Sequence, residues 1–193
     1  MNINKKLLLG SVMAATVTLA GCQSMMSSMG VLPMGSSTDQ DDAAHLWATL
    51  KHERLVGNGM KSSRIYPGSP PHGKFLQTLH QQVTVDDHTG MVIVKRNYDG
   101  PGVSAEAVEA NPEKYLKAVT VMFKREAGYD AEDKDWFWAK YQADGSLFTM
   151  EKMMMEIPLA GRVAKGKDEG CISCHIGAPG GDFVFAQDIN PSS

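Results

Sequence analysis

Five residues near the C-terminus, Cys171-Ile172-Ser173-Cys174-His175, constrain what this chain can fold around. Two cysteines separated by two residues, with histidine directly after the second, form the attachment motif for a c-type haem. The chemistry sets the spacing: two thiols add to the two vinyl groups of one porphyrin edge, and the adjacent imidazole reaches the iron from one face. A redox dithiol and half of a zinc site also use Cys-x-x-Cys. A zinc site needs two more ligands, but no second cysteine pair exists and the third cysteine, Cys22, lies far away. A thioredoxin-like dithiol would follow an early strand rather than sit beside the C-terminus. The motif therefore predicts one covalent haem c per chain, held by Cys171 and Cys174, with His175 as an axial iron ligand.

Haem is joined to such motifs outside the bacterial cytoplasm, so the reading requires export. Lys5 and Lys6 precede an apolar run over residues 7–20, which suits a signal peptide and is too short to span a membrane stably. The run ends in Leu19-Ala20-Gly21-Cys22, which resembles the lipobox of bacterial lipoproteins. That resemblance implies that Cys22 becomes the first mature residue and carries lipid, with several acyl chains giving durable anchoring. Gln23 after it, in place of aspartate, points to the outer rather than the inner membrane. The cysteines are then all assigned, one to lipid and two to haem. The domain reading is a signal peptide over 1–21, a tether over 22–42 and a haem domain over 43–193. A flexible coil of about 20 residues spans roughly 25 Å. Met25, Met26, Met29 and Met34 in the tether read as spacer; copper capture by thioethers is the sharper alternative, without histidines to support it.

Loss of residues 1–21 removes two lysines and no acid, leaving 17 basic and 22 acidic side chains. That balance excludes a basic nucleic-acid binder, which needs positive charge to displace phosphate counterions. With 42 % hydrophobic and 21 % charged residues, the chain has the composition of a folded domain rather than a disordered one.

Periodicity predicts a helix over 43–56, with Leu46, Trp47 and Leu50 recurring and Gly57-Asn58-Gly59 stopping it. Tyr66-Pro67-Gly68 and Pro70-Pro71 mark a turn-rich connection. Runs over 74–85, 91–98, 118–126 and 135–143 read as strands, the last with Trp136 and Trp138 on one face and Phe137 and Tyr141 on the other. Ser104 caps a short helix that Pro112 disrupts. Asp144-Gly145 suits a hairpin turn into a fifth strand over 146–150. The predicted class is α+β: an antiparallel sheet of about five strands packed with a few helices, with haem bound near the C-terminus. The acidic run from Asp130 to Asp135 lacks the calcium-loop pattern and reads as a solvated hairpin loop.

Only 18 residues follow His175, and none is methionine or histidine. A downstream second ligand of either type is excluded, and an upstream methionine stays open. The simplest reading is a five-coordinate iron with an open distal face, suited to binding small ligands or to chemistry.

The C-terminal haem motif, Gly180-Gly181-Asp182-Phe183-Val184-Phe185, Asp135-Trp136-Phe137-Trp138-Ala139-Lys140-Tyr141, Met91-Val92-Ile93-Val94-Lys95-Arg96-Asn97-Tyr98, Tyr66-Pro67-Gly68 and Pro71-His72-Gly73 occur together. In this combination they resemble the cytochrome P-460 family and its sister group, the beta-sheet cytochromes c-prime. The resemblance implies an antiparallel sheet with helices, one c-type haem and usually a homodimer. In oxidising members a lysine ending a Val-x-Val-Lys strand is joined to the porphyrin ring, and Lys95 matches it. Those members oxidise hydroxylamine; sister proteins without the link bind nitric oxide or other diatomics. Strand alternation puts Lys95 with Ile93 and Asn97, opposite Val94, Arg96 and Tyr98, so either Lys95 or Arg96 should face inward. Two departures stand out. Gln77 takes the place of an arginine on the preceding strand, and Lys124 or Glu126 falls where a proton-transferring carboxylate would be. The methionine-rich stretch over 150–156 looks like an insertion, read as apolar packing or loop, with an axial ligand or partner surface as the alternative.

The expected function is a membrane-anchored periplasmic cytochrome that oxidises hydroxylamine or reacts with nitric oxide and passes electrons to a soluble electron-transfer protein. The alternatives are non-catalytic binding of a diatomic gas and plain electron transfer.

Overall fold

Ser36 decides where the first helix begins. Its hydroxyl accepts from the Asp39 N–H at 3.1 Å, and the Asp39 carboxylate accepts from the Ser36 N–H at 3.0 Å, a reciprocal cap. Helix α1 therefore runs Ser37–His52. It starts inside the stretch expected to be tether, and ends before Gly57-Asn58-Gly59, at Glu53 and the left-handed Arg54 (φ 59°). The computed structural model describes residues 33–152, 154–168 and 170–185. The expected signal peptide, Cys22 and most of the expected tether lie outside these residues, and all those described belong to one unit, Leu32–Ser193. Among them, no helix is long and apolar enough to cross a membrane.

The class is α+β, as expected, with more strands than periodicity indicates. A six-stranded antiparallel sheet has the order β1-β2-β3-β4-β5-β8, built from β1 Ile65–Pro67, β2 Phe75–Val85, β3 His88–Tyr98, β4 Leu116–Lys124, β5 Trp136–Tyr141 and β8 Ala160–Gly161. A separate hairpin joins β6 Thr149–Lys152 to β7 Met155–Pro158. β1 and β8 are edge strands of three and two residues. Pairing with a neighbour makes them strands, so no pattern of their own could mark them. Two short helices, α2 Ala105–Ala110 and α3 Pro112–Tyr115, precede β4. Ser104 caps α2 as expected, while Pro112 does not end it but opens α3, where a missing N–H costs nothing.

The sheet is buried on both faces. On one, Val92, Val94, Val121, Phe137 and Tyr141 pack with Ala43, Leu46 and Leu50 of α1. On the other, Ile93, Met122, Trp136 and Trp138 pack with Ile157, Ile172 and Phe183 of the C-terminal segment. Burying residues of both parities on β3 and β5 explains why these strands read as nearly continuous apolar runs.

The acidic loop is solvated only in part, with Ala131, Glu132 and Lys134 exposed. Asp130 and Asp133 are buried, and Lys165 pairs with Asp130, with Glu132 at 3.0 Å and with Asp133 at 3.4 Å. The loop thereby clamps the segment leading to the haem motif. The chain reverses through Ala143-Asp144-Gly145, with the Gln142 N–H donating to the Ser146 carbonyl at 2.7 Å and Gly145 at φ +96°. The expected strand over 146–150 is reduced to a single bridge between Leu147 and Tyr141, and β6 begins at Thr149 and pairs with β7. A Cβ at Gly145 would overlap the Trp47 indole. Gly145→Ala is expected to lower stability by about 2 kcal/mol, through backbone strain and displacement of Trp47. A chemical-denaturation midpoint unchanged from wild type would contradict this.

Candidate haem site

Helix α4 is a single turn, Cys171–His175, entered through Gly170 at φ +119°. A side chain at Gly170 would run into Ala164, so the chain can turn sharply there only without one. Ile172 anchors α4 in the second core cluster, and the Cys174 N–H donates to the Gly170 carbonyl at 3.2 Å. The two motif cysteines form no disulfide, and burial pushes the Cys171 thiol up to about 11.

His175 is buried, and its Nδ1 lies 2.7 Å from the Phe183 carbonyl oxygen. A carbonyl only accepts, so Nδ1 carries the hydrogen and the neutral ring presents its lone pair at Nε2. That orientation is typical of a metal-ligating histidine held by a backbone carbonyl. The run Gly180-Gly181-Asp182-Phe183 gains a role here that its sequence did not disclose. It returns the Phe183 carbonyl to His175, and Trp136 pins it by donating from Nε1 to the Asp182 carbonyl at 2.9 Å. The rings of Trp138 and Phe185 stand 4.9 and 5.3 Å from the imidazole, both steeply inclined to it.

Lys95 and Arg96 are both buried, on opposite faces of β3. Lys95 pairs in register with Thr78 on β2 and Thr120 on β4, and it lines a cavity of about 910 Å³. Cys171, Cys174 and His175 line the same cavity. All four residues named from the sequence for the haem thus converge on one space, large enough for a cofactor. Arg96 points away and donates to the Leu55 and Lys61 carbonyls.

The lining suits a haem in charge as well as size. Lys140, Lys152, Lys165 and Lys167 line it, and among the described lining residues there is no carboxylate. A haem brings two carboxylates, which Lys140, Lys152 and Lys167 would balance, Lys165 being engaged by Asp130, Glu132 and Asp133. The Trp138 indole N–H is buried without a partner among the described residues, a donor that a polar group in the cavity would satisfy.

The residues at the two departures noted in the sequence lie outside the cavity. Gln77 faces away from the cavity, because its register partner is Arg96; its Oε1 accepts from the Tyr98 hydroxyl at 2.7 Å. Lys124 reaches the Lys134 carbonyl at 2.6 Å, and Glu126 pairs with Arg125, which holds its carboxyl below the usual range. Neither lines the cavity; on β4 that position falls to Thr120 and Met122. The methionine-rich stretch forms the β6–β7 hairpin, with Met154 and Met155 exposed rather than packed and Met150 at the cavity edge.

One residue escaped the sequence reading as a site. His72, in the loop between β1 and β2, lines the cavity with its ring centre 6.1 Å from that of His175. Burial, then the charges of Lys95 and His175, push its pKa down to about 3, so it is a neutral imidazole at neutral pH. Its only signal in the sequence was Pro71-His72-Gly73, a histidine inside a turn.

The family model for Cytochrome P460 matches residues 76–186. That span runs from β2 to the segment that seats His175; it contains Lys95, Cys171, Cys174 and His175 and begins after His72. Neither the comparison with curated proteins nor that with solved structures gives a match. With more than half its length matched, including the strands and the C-terminal helix around the cavity, the chain belongs to the cytochrome P460 family of haem proteins.

Proposed function

We propose that this chain is an exported, lipid-anchored haem c protein that oxidises hydroxylamine or reacts with nitric oxide and gives its electrons to a soluble carrier. The observation that carries the reading is the convergence of Lys95 with Cys171, Cys174 and His175 on one cavity. When bound, haem supplies an iron that takes up small ligands and exchanges electrons. Cys171 and Cys174 hold its edge, His175 ligates it with Nε2, and the Phe183 carbonyl fixes the imidazole tautomer. Lys95 is the residue for a ring cross-link. A buried lysine is costly unless neutralised or paired, and a covalent bond to the haem would remove that cost. Cys22 supplies the lipid anchor on the periplasmic side of a bacterial membrane, the outer one by the residue after it.

Oxidation of hydroxylamine to nitric oxide releases three electrons and three protons. The electrons leave to the carrier; the protons need an acceptor. The lack of a carboxylate among the described lining residues favours a second reading, ligand binding without turnover. One comparison separates the two. In the haem-loaded protein, Lys95→Ala is expected to lower hydroxylamine-dependent reduction of an external acceptor at least tenfold and to abolish a broad, red-shifted band in the reduced spectrum. Equal rates in the variant would remove Lys95 from the mechanism. Tight nitric oxide binding without any hydroxylamine turnover in wild type would establish the second reading.

A further inference from the structure

We propose that His72 is the second axial ligand of the haem iron, opposite His175, and that a small molecule reaches the iron only by displacing it. The inference rests on the reading above, in which His175 ligates a haem in this cavity.

Distance is the first argument. An imidazole bonds a metal at about 2 Å, and its ring centre lies about 1.1 Å further on, so two imidazoles on opposite sides of one ion have centres about 6 Å apart. The observed separation is 6.1 Å. A histidine serving only as acid or base to an iron-held ligand would stand further off, by roughly the 3 Å of a hydrogen bond to that ligand. The ring planes lie 85° apart, the crossed arrangement open to two rings sharing one axis.

The second argument is orientation. His72 Nδ1 lies 3.5 Å from the Thr120 hydroxyl, so the ring offers Nε2, as His175 does. Thr120 is itself placed by Asn97, whose Nδ2 donates to it at 3.3 Å. The loop is tied on both sides of the histidine. The Tyr66 hydroxyl meets that of Thr78 at 2.6 Å, the Gly68 N–H donates to the Lys74 carbonyl at 2.8 Å, and the His72 N–H donates to the Ser69 carbonyl at 2.9 Å. Gly73, at φ +106°, sits so close to the Tyr98 carbonyl that a Cβ would come within 2.9 Å of it. The ring is thus presented by a braced loop rather than by a strand of the sheet.

Rival ligands in the same cavity are Met34, Met122, Met150 and Lys95, and the experiment must distinguish them.

The test uses the mature protein from a host that attaches haem in its periplasm. Haem retained after denaturation checks the underlying reading; a chain that retains none overturns that reading and this proposal with it. In the haem-loaded protein, a low-spin ferric optical and electron paramagnetic resonance spectrum of two imidazoles is expected. His72→Ala should become high-spin, and added imidazole should restore the low-spin form. His72→Met, which keeps the side chain's bulk, should show a sulfur-to-iron charge-transfer band. Carbon monoxide binding to the ferrous wild type should level off with ligand concentration, because His72 must leave first. In His72→Ala it should rise linearly and at least tenfold faster. Retained haem with a high-spin wild-type spectrum would overturn the proposal. So would a low-spin spectrum that persists in His72→Ala, which would assign the ligand to a methionine or Lys95.

Discussion

Serine at both Cys171 and Cys174 is expected to leave the exported protein with no haem that survives denaturation. Serine keeps the shape of α4, so Ile172 stays buried, and Gly170 still makes the turn. A hydroxyl does not add to a vinyl group as a thiol does, so both thioether bonds are lost. The single variants should each keep one bond and a reduced yield. His175→Ala should keep the covalent bonds and lose the ligand, which shifts the spectrum rather than the haem content. The covalently held haem fills the cavity and meets His175 only when the chain is folded, so the double variant, lacking those contacts, should also melt at a lower temperature. Mass spectrometry of the denatured chain and haem staining after denaturing electrophoresis decide the matter. Full haem retention in the double variant would place the attachment elsewhere.

Arg96→Ala is expected to cost about 2–4 kcal/mol, from buried carbonyls left without donors and the void left by the side chain. Arg96 is 1 % exposed, and its guanidinium donates to the Leu55 carbonyl from Nη2 at 2.6 Å and from Nε at 3.2 Å, and to the Lys61 carbonyl at 2.9 Å. It also donates to Gln77 Oε1 at 3.3 Å, whose own amide donates to the Ser63 carbonyl at 2.8 Å. These bonds tie the irregular segment after α1 to strands β2 and β3. Truncation leaves carbonyls without donors and a void in their midst. Arg96→Lys should recover only part of the loss, because an ammonium lacks the planar fork that reaches separate carbonyls. Denaturant unfolding of the haem-free chain measures the effect. A loss below about 1 kcal/mol would show that the segment is held by other contacts.

Gln77 illustrates what strand alternation delivers and where it stops. Alternation correctly groups Trp136 with Trp138 and sets Phe137 with Tyr141 on the other side, because a strand turns successive side chains to opposite faces. It does not say which face meets which neighbour. Gln77 matches an arginine on the strand before Lys95, and only its register opposite Arg96 shows that it lies on the face away from the cavity. The choice between Lys95 and Arg96 was false for the same reason, since a sheet covered on both sides buries both. The reciprocal cap of Ser36 and Asp39 starts α1 ahead of Ala43 and so shortens the tether.

Local chemistry determined by itself the features that depend on few residues. The spacing Cys171-Ile172-Ser173-Cys174-His175, the cap at Ser104, the turn at Asp144-Gly145, and the long strands β2 to β5 are written in neighbouring side chains and their period. The tertiary structure alone decided the rest. It made edge strands of Ile65–Pro67 and Ala160–Gly161, buried Asp130 against Lys165, returned the Phe183 carbonyl to His175, and brought His72 to 6.1 Å from that imidazole. Each of these joins groups that are separate in the chain. Burial, charge pairing and ring distance depend on what packs opposite a residue, and a one-dimensional pattern carries only the side to which each residue points.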